Sequence, residues 1–208
     1  MKKRFSMPLA AVLMSVFTLA GGAFASFKDV GTSHPHYEAI NFVQSEGIVK
    51  GYENGTYKPD RNVNRVELVK IIVEAVYEQK EIDGCNVDML EAFTDVDRSA
   101  WYAPYLCMAR KKGLIEGYSN GTFKPGNEIN FVEMAKILVS AYQFHIDQFS
   151  IDPWYMPFVM ALDNRQAIPL QIENVASKVT RGQLAEIIFR LNTERTDKPS
   201  HTYGTLGK

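Results

Sequence analysis

The chain has no strong excess of charge of either sign. Its 23 basic and 24 acidic residues leave a formal charge of −1 over 208 residues. That balance lacks the electrostatic footprint of a nucleic-acid binder. Histidine occurs four times, and cysteine only as Cys85 and Cys107. Two cysteines 22 positions apart, with no histidine nearby, do not make a zinc site. Asp95-Val96-Asp97 lacks the further oxygen ligands and the glycine of a calcium loop, so no metal is expected. After residue 20 no apolar run is long enough to cross a bilayer. A nucleophile elbow and a close pair of unexplained carboxylates are also missing. The chain therefore does not read as an enzyme, and it implies no cofactor.

What is present starts with a leader. Lys2, Lys3 and Arg4 precede an apolar run from Leu9 to Ala20, and Ala23-Phe24-Ala25 forms an A-x-A site. Residues 1–25 read as a secretory signal peptide. Its removal leaves about 183 residues, enough for a sizeable core, and takes the formal charge to −4. In an exported protein Cys85 and Cys107 suggest a disulfide, against the alternative of two buried free thiols.

The rest of the chain is organised by a repeat. Gly47-Ile48-Val49-Lys50-Gly51-Tyr52-Glu53-Asn54-Gly55-Thr56-Tyr57-Lys58-Pro59 returns as Gly113-Leu114-Ile115-Glu116-Gly117-Tyr118-Ser119-Asn120-Gly121-Thr122-Phe123-Lys124-Pro125. Eight of the 13 positions are identical at an offset of 66 residues. The same offset carries Phe27-Lys28-Asp29-Val30 onto Phe93-Thr94-Asp95-Val96. A third, worn copy pairs Trp154-Tyr155-Met156-Pro157-Phe158 with Trp101-Tyr102-Ala103-Pro104-Tyr105. It has Pro169-Leu170-Gln171-Ile172 where the Gly-Tyr-x-x-Gly-Thr segment should stand. A worn last unit is common in repeat arrays.

Each copy reads as helix, loop, helix. His36 to Glu46 carries Tyr37, Ile40 and Val43 at helical intervals, and Gly47 suits the position just past a helix end. Asn54-Gly55 and Asn120-Gly121 favour tight turns, and Pro59 and Pro125 block helix continuation. The second helix of each copy opens on a capping box: Asn64 with Glu67, Asn130 with Glu133, Thr180 with Gln183. These three helices are the most apolar, which places them at a common centre. The expected divisions are 26–78, a linker at 79–92, 93–143, a degenerate third copy at 144–193, and a polar tail at 194–208. The tail, with Pro199, Gly204 and Gly207, reads as disordered.

The ordered series Phe-x-Asp-Val, Gly-Ile-x-x-Gly-Tyr-x-x-Gly-Thr-Phe-x-Pro and Thr-Arg-x-Glu resembles the S-layer homology domain. The resemblance covers about 27–193 and is partial in the third copy. It implies an all-α fold in which three repeats form a pseudo-threefold helical bundle with outward prongs and grooves between neighbours. It also implies non-covalent anchoring to the cell envelope, in a secreted cell-surface or cell-wall protein. The implied partner is an acidic or pyruvylated secondary cell-wall polysaccharide. Carried over by residue, Arg65 and Arg181 hold the ligand-contacting arginine position, and Phe131 replaces it in the middle copy. Asp29, Asp95, Trp101, Trp154, Gly51 and Gly117 complete the implied ligand set. The local chemistry agrees: an arginine fork at a helix start can hold a carboxylate where N–H groups already favour anions. The residues themselves leave room for blander roles. Glu67 and Glu133 suit capping, Tyr52 and Tyr118 suit loop packing, and His34 and His36 suit the surface or a groove lining. The competing function is a structural or adaptor protein that uses the same fold for protein contacts.

Overall fold

The structure is a computed structural model, described here for residues 27–146 and 152–207. The signal peptide proposed for 1–25 lies outside the described residues. Seven α-helices follow in order: α1 Tyr37–Ser45, α2 Arg65–Val76, α3 Gln79–Asp83, α4 Ala103–Lys111, α5 Phe131–Ala141, α6 Met156–Asp163 and α7 Arg181–Thr193. A 3-10 helix, Val87–Ala92, lies between α3 and α4. Extended pairing among the described residues is confined to isolated bridges. The fold is all-α.

The three long helices α2, α5 and α7 form the centre. Leu68, Ile72, Met134, Leu138, Leu184, Ile187 and Ile188 are fully buried. Each helix starts on a reciprocal cap. Asn64 accepts from the Glu67 N–H at 2.9 Å, Asn130 from the Glu133 N–H at 2.9 Å, and Thr180 from the Gln183 N–H at 3.2 Å. The residue at the third helical position reaches back to the cap N–H in all three. These bonds satisfy donors that a helix start otherwise leaves bare.

Just before the caps, three buried residues close a main-chain ring. The Val63 N–H donates to Val179 O at 2.8 Å, the Val179 N–H to Ile129 O at 3.4 Å, and the Ile129 N–H to Val63 O at 3.2 Å. All three side chains are fully buried. Bridges Asn62–Thr180, Asn64–Glu128 and Asn130–Lys178 flank the ring. This is the pseudo-threefold axis, on which one residue from each unit meets the other two.

The packing does not follow the units as written in the sequence. The first helix of each unit lies on the core helix of the unit before it: α4 on α2, α6 on α5, and α1 on α7. The last pairing joins the beginning of the chain to its end and makes the array circular. Its chemistry is ionic. Glu186, 2% exposed, receives Arg190 Nε at 2.9 Å and Lys198 Nζ at 3.1 Å, and His36 Nδ1 lies 3.5 Å away. His36, expected at the surface or lining a groove, is 6% exposed and sits over Gly182, where a Cβ would lie 2.7 Å from its ring. Arg195 and Lys198 also reach Glu38 on α1. Burial alone would raise the Glu186 carboxyl, but His36, Arg190 and Lys198 outweigh it and bring it down to about 2.

The segment between units 1 and 2 is structured. Both α3 and the 3-10 helix pack on α4, and a Cys85–Cys107 disulfide fastens the segment to α4 with Cα atoms 6.0 Å apart.

The tail corrects the expectation of disorder for 194–208. Leu206 is buried, Tyr203 N–H donates to Asp163, and His201 N–H donates to Ile168 O. Val175 N–H donates to Gly207 O and Gly207 N–H to Glu173 O. The reason lies in the third unit. Its shortened loop leaves main-chain groups at 168–175 without the internal turn that the other units use, and the tail supplies their partners. Composition registers the tail's polarity, not these main-chain bonds.

Two outcomes follow. Reduction of the disulfide should lower stability by about 3 kcal/mol, as expected for opening a closed loop of roughly 23 residues, read from urea unfolding with and without reductant. Glu186 has a folded pKa below its ordinary value of 4.5. Its contribution is therefore present above pH 4.5 and is lost as pH falls toward 2. Unfolding curves at stepped pH should show this decline. Glu186→Gln should flatten it and cost about 3 kcal/mol at neutral pH, because Arg190 and Lys198 lose their partner.

Candidate functional site: the grooves between units

The loop Gly51–Pro59 builds the wall of one groove, and Gly117–Pro125 builds the same wall in the next unit. In both, the tyrosine N–H donates to the threonine carbonyl at 2.8 Å, closing the turn (Tyr52 to Thr56, Tyr118 to Thr122). The turn rests on the Phe-x-Asp-Val segment. Asp29 Oδ1 and Oδ2 accept from the N–H groups of Tyr57 and Lys58 at 2.8 and 2.7 Å. Asp95 takes Phe123 and Lys124 in the same way, both at 2.7 Å. Burial would raise the Asp29 carboxyl, but these N–H groups and the field of Arg181 hold it below the ordinary value. Asp29 and Asp95, implied as ligand contacts, thus use both oxygens to hold the loop.

Gly51 and Gly117 are loop-packing positions as well. A Cβ on Gly51, at φ +73°, would lie 2.2 Å from the Phe27 ring. On Gly117 it would lie 2.7 Å from the Phe93 ring. Only glycine lets the two aromatic rings lie this close under the turn.

The arginines complete the grooves, in a register that crosses units. Arg65 starts α2 of unit 1 but enters the loop of unit 2. Its N–H donates to Asn127 O, and its Nε donates to Phe123 O at 2.9 Å. Its guanidinium lies 4.5 Å from the Phe123 ring centre and 5.2 Å from that of Tyr118. Arg181 starts α7 of unit 3 and enters the loop of unit 1. Its Nε donates to Tyr57 O at 2.8 Å, with the Tyr57 and Tyr52 rings 4.6 and 5.0 Å away. Tyr57, its phenol pushed up to about 12 by burial, donates back to Arg181 O. The two arginines are 8% and 6% exposed, so neither is a freely solvated helix-start cation.

Phe131 starts α5 and enters unit 3, where its N–H donates to Ser177 O at 2.9 Å. It is fully buried. This corrects the pairing of arginines with grooves. Arg181 does not belong to the worn loop of its own unit; it serves the intact loop of unit 1. The missing arginine and the missing glycine loop meet at one joint, which is apolar and filled.

The two arginine grooves differ in charge. Glu67 Oε1 lies 4.0 Å from Arg181 Nη1 and pairs closely with Arg61, while the Tyr52 hydroxyl donates to the same carboxylate at 3.3 Å. That groove carries its own counter-charge. Among the described residues no carboxylate lies within 4.0 Å of the Arg65 guanidinium, and no hydrogen bond engages its terminal nitrogens. Lys124 Nζ stands 4.2 Å from the Tyr118 ring centre, on the same loop, and adds a second cation.

Trp101 and Trp154 are 59% and 52% exposed, each edge-on to the tyrosine that follows it. They stand just before α4 and α6, and among the described residues no cation–ring contact joins either to Arg65 or Arg181. Aromatic pairs cradle the guanidinium groups, Tyr52 with Tyr57 and Tyr118 with Phe123; the sequence shows Tyr52 and Tyr118 only as loop packing and Tyr57 and Phe123 only as members of the repeat. Their signal in the sequence is the fixed spacing from the turn glycines.

Comparison with known proteins agrees with this architecture. The family model for the S-layer homology domain matches residues 26–68 and 92–135. The S-layer protein sap of Bacillus anthracis is 31% identical over 134 residues, which is 64% of this chain and 16% of that protein. The middle cell wall protein of Brevibacillus brevis is 28% identical over 146 residues, 68% of this chain and 14% of that protein. Cell surface glycoprotein 1 of Acetivibrio thermocellus is 31% identical over 121 residues, 56% of this chain and 5% of that protein. The chain thus spans under a fifth of the length of each of these relatives. Residues 26–68 and 92–135 are thus two S-layer homology domains, and the unmatched third unit closes their ring in the structure.

Proposed function

We propose that the chain is a non-catalytic anchoring module of the cell envelope. It binds an acidic secondary cell-wall polysaccharide in the groove between units 1 and 2. The observation that carries this reading is the state of Arg65. Its stem and Nε are fixed by Phe123 and Tyr118, yet among the described residues its terminal nitrogens have no counter-charge. A cation held in place and left unneutralised suits a carboxylate, which can take two parallel hydrogen bonds from the guanidinium fork. The exposed face of Tyr118 (38% exposed) offers an apolar surface beside it for a sugar ring.

Arg181 has the same cradle but faces Glu67 and Arg61. A ligand there must displace an existing network, so this groove binds more weakly. The Phe131 joint takes no anion. The secretory leader and the relatives' printed names, which place those proteins in S-layers, walls and cell surfaces, support a location at the cell surface. The pyruvyl modification of the glycan is the family's association and is proposed here only as one source of the carboxylate.

Co-sedimentation with purified cell-wall material tests the reading. Arg65→Ala should weaken binding at least about tenfold, the scale of one charge-assisted contact. Arg181→Ala should have a smaller effect and Phe131→Ala none beyond its cost in stability. Unchanged binding by the double Arg65→Ala, Arg181→Ala variant, with its fold intact by circular dichroism, would favour the adaptor reading, in which the same fold contacts protein.

A further inference from the structure

One position differs in charge among the three joints of the ring. The residue four places before each core helix gives its carbonyl to the first N–H of a neighbouring unit's helix: Arg61 O to Arg181, Asn127 O to Arg65, Ser177 O to Phe131. Only Arg61 of these three carries a charge. Its side chain turns to Glu67. The Arg61 guanidinium donates to Glu67 Oε1 and to the Tyr52 hydroxyl, and that hydroxyl donates to the same carboxylate oxygen at 3.3 Å. Arg181 Nη1 stands 4.0 Å from that oxygen, outside hydrogen-bond reach. Two guanidinium groups thus compete for one oxygen, and Arg61 holds it. The other oxygen of Glu67 serves the helix cap, where it accepts from the Asn64 N–H at 3.3 Å.

Stability does not account for Arg61. Its side chain is 39% exposed, and ion pairs at such exposure contribute little. What the pair decides is the state of Arg181. That side chain is buried and its Nε is fixed on Tyr57 O, so Glu67 is the partner able to move. A shift of about 1 Å would bring its carboxylate to charge-assisted hydrogen-bond distance. The neighbouring groove needs no such hold. There Asn127 replaces Arg61, and among the described residues Glu133 engages the Asn130 cap but no cation. The extra arginine therefore occurs where a carboxylate lies close to the arginine of a groove.

We propose that Arg61 is the positioning residue of the Arg181 groove: by holding Glu67 it keeps the Arg181 fork free for an acidic ligand. The consequence for binding rests on the glycan reading above; the competition for Glu67 does not.

A crystal structure of Arg61→Ala tests the competition without any ligand. Glu67 Oε1 should close to about 2.8 Å from Arg181 Nη1, with the Asn64 cap retained. A carboxylate still outside hydrogen-bond distance of Arg181 would overturn the proposal. Co-sedimentation with purified cell-wall material tests the consequence, in an Arg65→Ala background where the Arg181 groove acts alone. Arg61→Ala should weaken binding there about tenfold, the scale of one charge-assisted contact. Its melting temperature should change by no more than about 3 °C, as for an exposed pair. Arg61→Lys, which can still hold Glu67, should recover part of the binding. Glu67→Gln added to Arg61→Ala should restore it, because glutamine brings no charge and still caps, as Gln183 does on α7. Binding unchanged by Arg61→Ala, or lost and not restored by Glu67→Gln, would also overturn the proposal. If the Arg65→Ala background does not sediment with wall material while Glu67 closes on Arg181 in the crystal, the glycan reading of this groove fails and the hold of Arg61 on Glu67 stands.

Discussion

Everything in this molecule hangs on the closed ring of main-chain hydrogen bonds among Val63, Ile129 and Val179. A residue from each unit donates to one neighbour and accepts from the other, in a site sealed from water. Buried N–H and C=O groups must be paired, so no unit can supply this residue's partners from its own chain. The ring also sets the rotation of the three core helices, because each begins two residues after its ring residue. The helix starts are thereby aimed into neighbouring loops, where carbonyls of Asn127, Ser177 and Arg61 take their first N–H groups. The grooves are a by-product of that aim. An arginine placed at the first helical position is delivered to the next unit's aromatic loop.

This explains which parts of the architecture could be read from the residues and which could not. The offset of 66 residues, the capping pairs and the turn glycines are local patterns, and they describe each helix and loop well. A cysteine pair in an exported chain pointed to the bridge that fastens the segment before α4. The circular order of packing is not local. Nothing near Arg181 in sequence indicates that it faces Tyr52 and Tyr57 across 124 positions, and its own worn loop suggested the opposite. Asp29 and Asp95 look like free carboxylates in a motif, because the N–H groups they hold lie 28 and 29 residues away. The polar tail misled for the same reason: its partners are main-chain atoms of a loop whose shortening is visible, but whose vacancy is not.

The relation between Phe131 and the third loop is informative about how such arrays wear. A loop without its glycine turn no longer presents the aromatic cradle and carbonyl that hold a guanidinium. A cation sent there would be buried without compensation. Phenylalanine at that helix start fills the space and needs no partner. Two departures that look separate along the chain, 131 and 169–172, are one physical change seen from its two sides. The remaining grooves keep the arginine because they keep the loop, and only the one whose acidic neighbours lie elsewhere retains an unspent charge.

The three seams of the ring are made of different materials. The one joining α2 to α4 is backed by a covalent bridge beside it, the one joining α7 to α1 is clasped by charges, and the one joining α5 to α6 carries no ion pair among the described residues and rests on Val159, Leu162 and their apolar neighbours. Reductant attacks the first and acid or salt the second, while the third responds to neither and, like the apolar parts of the other two, weakens in cold or chaotrope. A protein outside the buffered cell interior meets all of these insults, but seldom together. A change of redox state or of pH thus acts first on one seam rather than on all three at once.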